Sequence, residues 1–151
     1  MVGTLVIRLI LISAALVAAT IVTHTFGIAL TFSFLRREAP PEGSRQAAWL
    51  LIRVAWLLIV CHLIEIAIWG ALYQGLGCMK DLGSAFYFSG VTYTTLGYGD
   101  LLLPARWRIL GPVEALTGIL TCALSASMFF AINAKIYSSM KVSSVPQQWK
   151  R

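Results

Sequence analysis

The sequence predicts an all-α membrane protein, and three observations carry that reading. Hydrophobic residues make up 58% of the 151-residue chain and charged residues only 12%, with a mean hydropathy of +0.79, outside the balance of a soluble domain. The apolar residues gather into three runs long enough to cross a bilayer and one that is too short. The formal charge is +6, and the basic residues sit at the edges of those runs, as Lys and Arg do when they mark a cytoplasmic face. That placement argues for membrane lipid as the partner and against nucleic acid.

The first run, about Leu9 to Leu35, holds no acid, Lys or Arg and ends at Arg36-Arg37. At ~1.5 Å per residue it exceeds the ~30 Å hydrocarbon core, so tilt or a bend is expected, with the bend at Gly27 after the polar cluster Thr23-His24-Thr25. Ala18-Ala19 behind Arg8 mimics a leader cleavage site, but the apolar run continues past it to Leu35, as a spanning helix does. Residues Arg36 to Gln46, with Pro40, Pro41 and Gly43, read as a loop. The second span covers about Ala47 to Tyr73, with Trp49, Trp56, Trp69 and Tyr73 spread towards its ends as interfacial aromatics. A turn follows from Gln74 to Asp81. Leu82 to Thr94 is semi-apolar and too short to cross, which fits a re-entrant helix. Leu101 to Arg106 connects to a last span from about Trp107 to Tyr137, followed by a basic tail with Lys141, Lys150 and Arg151. The expected division is 1–46, 47–137 and 138–151. Cys61 and Cys122 fall in apolar runs and Cys78 in a loop, with no metal or disulfide spacing.

Thr92 to Asp100 reads TYTTLGYGD, and within it TLGYGD at Thr95 to Asp100 closely resembles the TVGYGD signature of potassium channel pores, with Leu96 in place of the usual Val. The resemblance covers about residues 48 to 137, since span, short helix, glycine-rich run and span arrive in the family's order. It implies an outer helix, a re-entrant pore helix with a selectivity filter, and an inner helix, to which this chain adds an N-terminal transmembrane helix. A potassium ion entering a narrow passage must exchange its water shell for other oxygens. Backbone carbonyls supply them if successive ones point the same way, and Gly97 and Gly99 tolerate the positive φ that this needs. The expected ion ligands are the carbonyls of Thr95, Leu96, Gly97 and Tyr98 with the Thr95 hydroxyl, and Gly99 forms the outer mouth. Leu96 and Tyr98 should turn their side chains into the protein. Tyr87, Phe88 and Tyr93 should form an aromatic cuff, with Thr94 and Asp100 supporting the filter.

One copy of such a loop does not surround an ion, so a homotetramer is expected. No cofactor beyond the permeating K+ and no small-molecule substrate is implied. The pore-helix C-terminus should face the cavity with the negative end of its dipole. Val91 stands where some relatives carry a glutamate that braces the filter-end aspartate; Tyr87 is the expected replacement donor to Asp100. The family's topology puts the N-terminus outside and the basic loop and tail in the cytoplasm, as the positive-inside rule requires. Likeness to small prokaryotic channels suggests a bacterial inner membrane, hence cell-membrane localisation.

Gating is less legible. The first span has no Arg or Lys between Arg8 and Arg36, unlike a voltage sensor, and the tail is too short for a nucleotide- or calcium-binding regulatory domain. Gly118 lies near the family's hinge glycine, Gly111-Pro112 is a candidate bend in the first turns of the last span, and Ala123, Ser125, Ala126 and Ser127 permit close approach of inner helices. His62 and Glu65 share a helix face, either as a structural pair holding the outer helix to the pore helix or as a pH-sensitive one. Glu114 either faces the cavity or sits behind the filter, bonded to a pore-helix hydroxyl such as Thr94. No nucleophile, metal triad or phosphate loop accompanies these groups, which disfavours an enzyme. A non-conducting or modulatory subunit, and a less selective cation channel, are the remaining alternatives.

Overall fold

Four α-helices and one short 3-10 turn account for the regular structure of the described residues, 2–41 and 43–143 of a computed structural model. The first helix, α1 (Val2–Arg37), runs on through Gly27, the place of the expected bend, without a break. Gly27 has another use. A Cβ there would stand 2.5 Å from Cys61 Sγ, so its missing side chain is what lets the second helix, α2 (Ser44–Gly75), lie against α1. The Arg36 and Arg37 charges suit the carbonyl end of the α1 dipole, and Pro40 and Pro41 follow where a helix could not continue.

The end of α2 is set by chain chemistry. Gly77 takes a left-handed φ of 64° while its N–H bonds to the Gln74 carbonyl at 3.0 Å and the Cys78 N–H to the Tyr73 carbonyl at 2.9 Å, the paired bonds of a Schellman stop. The short helix α3 (Leu82–Tyr93) starts at Asp81, whose carboxylate accepts from the Ser84 N–H at 2.8 Å. The Ser84 backbone and hydroxyl bonds hold the Asp81 carboxyl below its ordinary range. At ~1.5 Å per residue the 12 residues of α3 reach only about halfway through the hydrocarbon core.

A 3-10 turn, Ala105–Trp107, precedes α4 (Leu110–Ser143). Gly111-Pro112 lies in the first turn of α4, where the N–H that proline lacks has no intrahelical partner to lose. At the other end α4 runs past Tyr137 to Ser143, so residues 138–143, expected in the tail, are helical. Lys150 and Arg151 lie outside the described residues.

Three helical stretches, Val6–Arg37, Ser44–Gly75 and Ala105–Ser138, are long and apolar enough to cross a membrane. This is a multi-pass membrane protein. α2 packs on α1 and α3, and α4 on all three. Two apolar cores form at opposite ends of the bundle. One gathers Leu16, Trp69, Tyr73, Cys78, Ala85, Leu103 and Leu110; the other Ala47, Leu50, Val54, Leu58, Met128, Ile132 and Ile136. Between them runs a buried polar band of His24, Glu65, Thr121 and Ser125, with Thr20, Ser89 and Glu114 beside the first core. Lipid is as apolar as these cores, so helix association draws on close packing and on polar bonds worth about 0.6–2 kcal/mol each. The band therefore matters for holding the bundle together.

Candidate functional site

The loop after α3 is shaped by alternating backbone hand. Thr95, Gly97 and Gly99 have φ of 62°, 56° and 77°, and the intervening Leu96 and Tyr98 stay at negative φ. Alternating hand brings successive carbonyls towards one side, where a strand would alternate them. The two glycines adopt this at little steric cost, while a left-handed Thr95 costs about 1–2 kcal/mol. Hydrogen bonds hold it there: the Thr95 N–H donates to Thr92 O at 2.9 Å and the Gly97 N–H to Val91 O at 3.2 Å. The sequence pointed to Gly97 and Gly99 for positive φ; Thr95 is a third such position, and nothing in its side chain announces it.

Around the loop, the Tyr87 hydroxyl donates to Asp100 Oδ2 at 2.8 Å. Tyr87, Phe88, Val91, Gly97, Gly99 and Asp100 share a cleft of about 270 Å³ with Arg108, Gly111 and Pro112. The Phe88 ring also stands edge-on to Tyr73, 5.2 Å between centroids, which fixes it to α2. Thr94 turns its hydroxyl back to Gly90 O at 2.6 Å, closing the end of α3. Leu96 and Tyr98 are 59% and 68% exposed, so within one chain they do not turn into the protein as expected but point outward.

Two contacts seat α3 between its neighbours. Glu114 on α4 is fully buried and accepts from Tyr73 Oη at 2.7 Å and Ser89 Oγ at 2.5 Å, joining α2, α3 and α4. This resolves its alternatives: Glu114 sits behind α3 on a helix hydroxyl, that of Ser89 rather than Thr94. Gly118 meets the end of α3, since a Cβ there would fall on the Tyr93 carbonyl. α4 is unbroken at Gly118, where the lack of a side chain is used for contact.

A short helix buried between two spans, leading into a glycine-rich loop, is how a chain carries irregular backbone at membrane depth. A family model described as "Ion channel" matches residues 54–135, over half of the 151-residue chain. The chain belongs to the ion channel family. No curated protein and no solved structure matches it. The part matched in this ion channel begins within α2, takes in α3 and the loop, and ends in α4; α1 lies outside it.

The ion channel nevertheless ties α1 in tightly. His24 on α1, 2% exposed, places Nδ1 2.8 Å from Glu65 Oε1 on α2, and the Trp69 indole N–H donates to Thr20 Oγ1 at 3.0 Å. His62 lies 3.3 Å from Glu65 Oε2 through Nδ1, which also reaches Tyr93 Oη at 2.9 Å, while its Nε2 meets Ser125 Oγ at 3.0 Å. The Tyr93 hydroxyl donates to Glu65 and lies 2.6 Å from Thr121 Oγ1. Tyr93 is therefore absent from the expected cuff; its ring is buried between α2 and α4. Ser125 likewise faces α2, leaving Ala123, Ala126 and Ser127 as the exposed small residues of that stretch. His24 was missed as a site residue. The signal was present: Leu16, Thr20, His24 and Thr31 follow helical spacing along one face, and an intramembrane histidine asks for a partner.

Proposed function

We propose that this ion channel is potassium-selective and conducts as a ring of four identical chains. The observation that carries the reading is the alternating hand of Thr95, Gly97 and Gly99 within TLGYGD. Carbonyls of Thr95, Leu96, Gly97 and Tyr98, with the Thr95 hydroxyl, replace the water shell of K+, and Gly99 opens the outer mouth. The C-terminus of α3 adds the negative end of its dipole on the cavity side. Tyr87 and Asp100 brace the loop from outside, Phe88 and Thr94 from behind, and Glu114 sets the depth of α3. Leu96 and Tyr98, uncovered in one chain, support the ring, because neighbouring copies would cover them. Candidate gating positions are Gly111, Pro112 and Gly118 with Glu114. In this reading the N-terminus lies outside and the α1–α2 loop in the cytoplasm of a cell membrane.

The test is reconstitution of the purified chain alone in liposomes under a potassium gradient. Barium-blocked potassium flux with little sodium flux is the expected result. Equal sodium flux would overturn selectivity, and absence of any flux would overturn self-sufficient conduction.

A further inference from the structure

The chain has two histidines, and both turn Nδ1 to one carboxylate. His24 Nδ1 is 2.8 Å from Glu65 Oε1 and His62 Nδ1 is 3.3 Å from Oε2, and one ligand atom from each of the three residues lies within 4.8 Å of the others. We propose that His24, His62 and Glu65 form a buried site for a divalent transition-metal ion of the Zn2+ type, clamping α1 to the channel module. The inference does not rest on the ion that permeates.

Size supports the site. Zinc bonds of about 2.0–2.1 Å in a tetrahedron set neighbouring donors roughly 3.3–3.5 Å apart, so side-chain shifts of under about an ångström would admit the ion. Two imidazoles and a carboxylate suit zinc and its first-row neighbours rather than K+ or Mg2+. Cys61 Sγ, though 3.5 Å from Glu65 Oε1, stands outside this cluster, so the fourth position would be filled by water. The Glu65 carboxylate offsets one of the ion's two charges, and a hydroxide formed from the bound water as its proton leaves to solvent would offset the second. His24 and Glu65 are 2% and 0% exposed, so the site is buried; the edge at His62, 18% exposed, is its way in.

The far nitrogens strengthen the argument. Both Nε2 atoms approach one hydroxyl, Ser125 Oγ, at 3.0 Å from His62 and 3.5 Å from His24. Metal-bound rings would each carry a hydrogen on Nε2, and the two lone pairs of Ser125 accept both, an outer partner of the kind metal-bound histidines have. Two neutral rings that instead donate from Nδ1 would leave two acceptors competing for a single Ser125 hydrogen. One imidazolium would close that count without an ion, and the experiment separates the two cases. An ion here would also steady the pore loop, because Tyr93 bonds Glu65 and Thr121 two positions before Thr95.

The tag-free full chain, stripped with chelator in lipid nanodiscs, is titrated with Zn2+ by calorimetry, with elemental analysis of the recovered protein. One ion per chain and a raised Tm are expected, and Co2+ should give a tetrahedral visible spectrum that Cys61→Ser leaves unchanged. His24→Gln should abolish stoichiometric binding. Ser125→Ala, which keeps every ligand, should weaken it about 10–100-fold. No stoichiometric binding, or binding indifferent to His24→Gln, would overturn the proposal, as would an imidazolium signal by nitrogen NMR that survives excess Zn2+. None of these readouts uses flux, so failure here is distinct from failure of conduction.

Discussion

Glu114 shows how much one side chain can decide. It is fully buried, with hydrogen bonds from Tyr73 and Ser89. Removing the first donor leaves a buried carboxylate under-satisfied, at about 1–3 kcal/mol. Tyr73→Phe should therefore lower the unfolding free energy in detergent by that amount, read by reversible denaturation; an unchanged value would show that Glu114 does not need the Tyr73 hydroxyl. Gly118→Ala tests the contact between α4 and the end of α3. The added methyl forces α3 to move, with a cost of about 1–3 kcal/mol and loss of flux as the loop shifts with it. Retained flux and stability would mean that α3 has slack. At this scale the sequence was legible where the chemistry is local. TLGYGD carries its own glycines, and the Tyr87–Asp100 pairing could be anticipated. His24 and the inward turn of Tyr93 were not legible, because their partners lie 41 and 28 residues away and only packing brings them together.

The helices themselves were plain from apolar length and from Pro, Gly and Asp punctuation, and the boundaries moved by a few residues at most ends. The exceptions have one cause. A glycine in a long apolar run looks like a place to bend, yet at Gly27 and Gly118 the neighbouring helix uses the gap, and a neighbour is not visible in a local window. Gly27→Val should push Cys61 and α2 away from α1. In a Cys122→Ser background, Cys61 should pass from unreactive to reactive towards a small maleimide in micelles; continued protection would show that α1 re-packs without opening. For the loop, Tyr87→Phe removes the donor to Asp100 and should hasten the decline of flux after activation. If the time course is unchanged, that bond does not brace the loop.

For the molecule as a whole, the proposed ring predicts that native mass spectrometry of the detergent-solubilised protein gives four chains, with monomer and dimer minor; a dominant monomer would count against it. Topology has its own test, since a reporter fused ahead of Met1 should read as external. The fold class followed from composition and periodicity, but the attachment of α1 did not, because α1 lies outside the segment that matches the ion channel family. That attachment has a consequence for biosynthesis. His24 and Glu65 would each be unwelcome in lipid alone, a central acidic group costing about 2.5–3.5 kcal/mol on insertion scales. Their 2.8 Å contact joins the two helices of one hairpin. The translocon can thus release α1 and α2 as a pair already joined by that contact, before the loop after α3 has left the ribosome. Glu65→Leu should then leave α2 inserted but let α1 separate from it during synthesis, a defect visible as protease sensitivity in nascent chains.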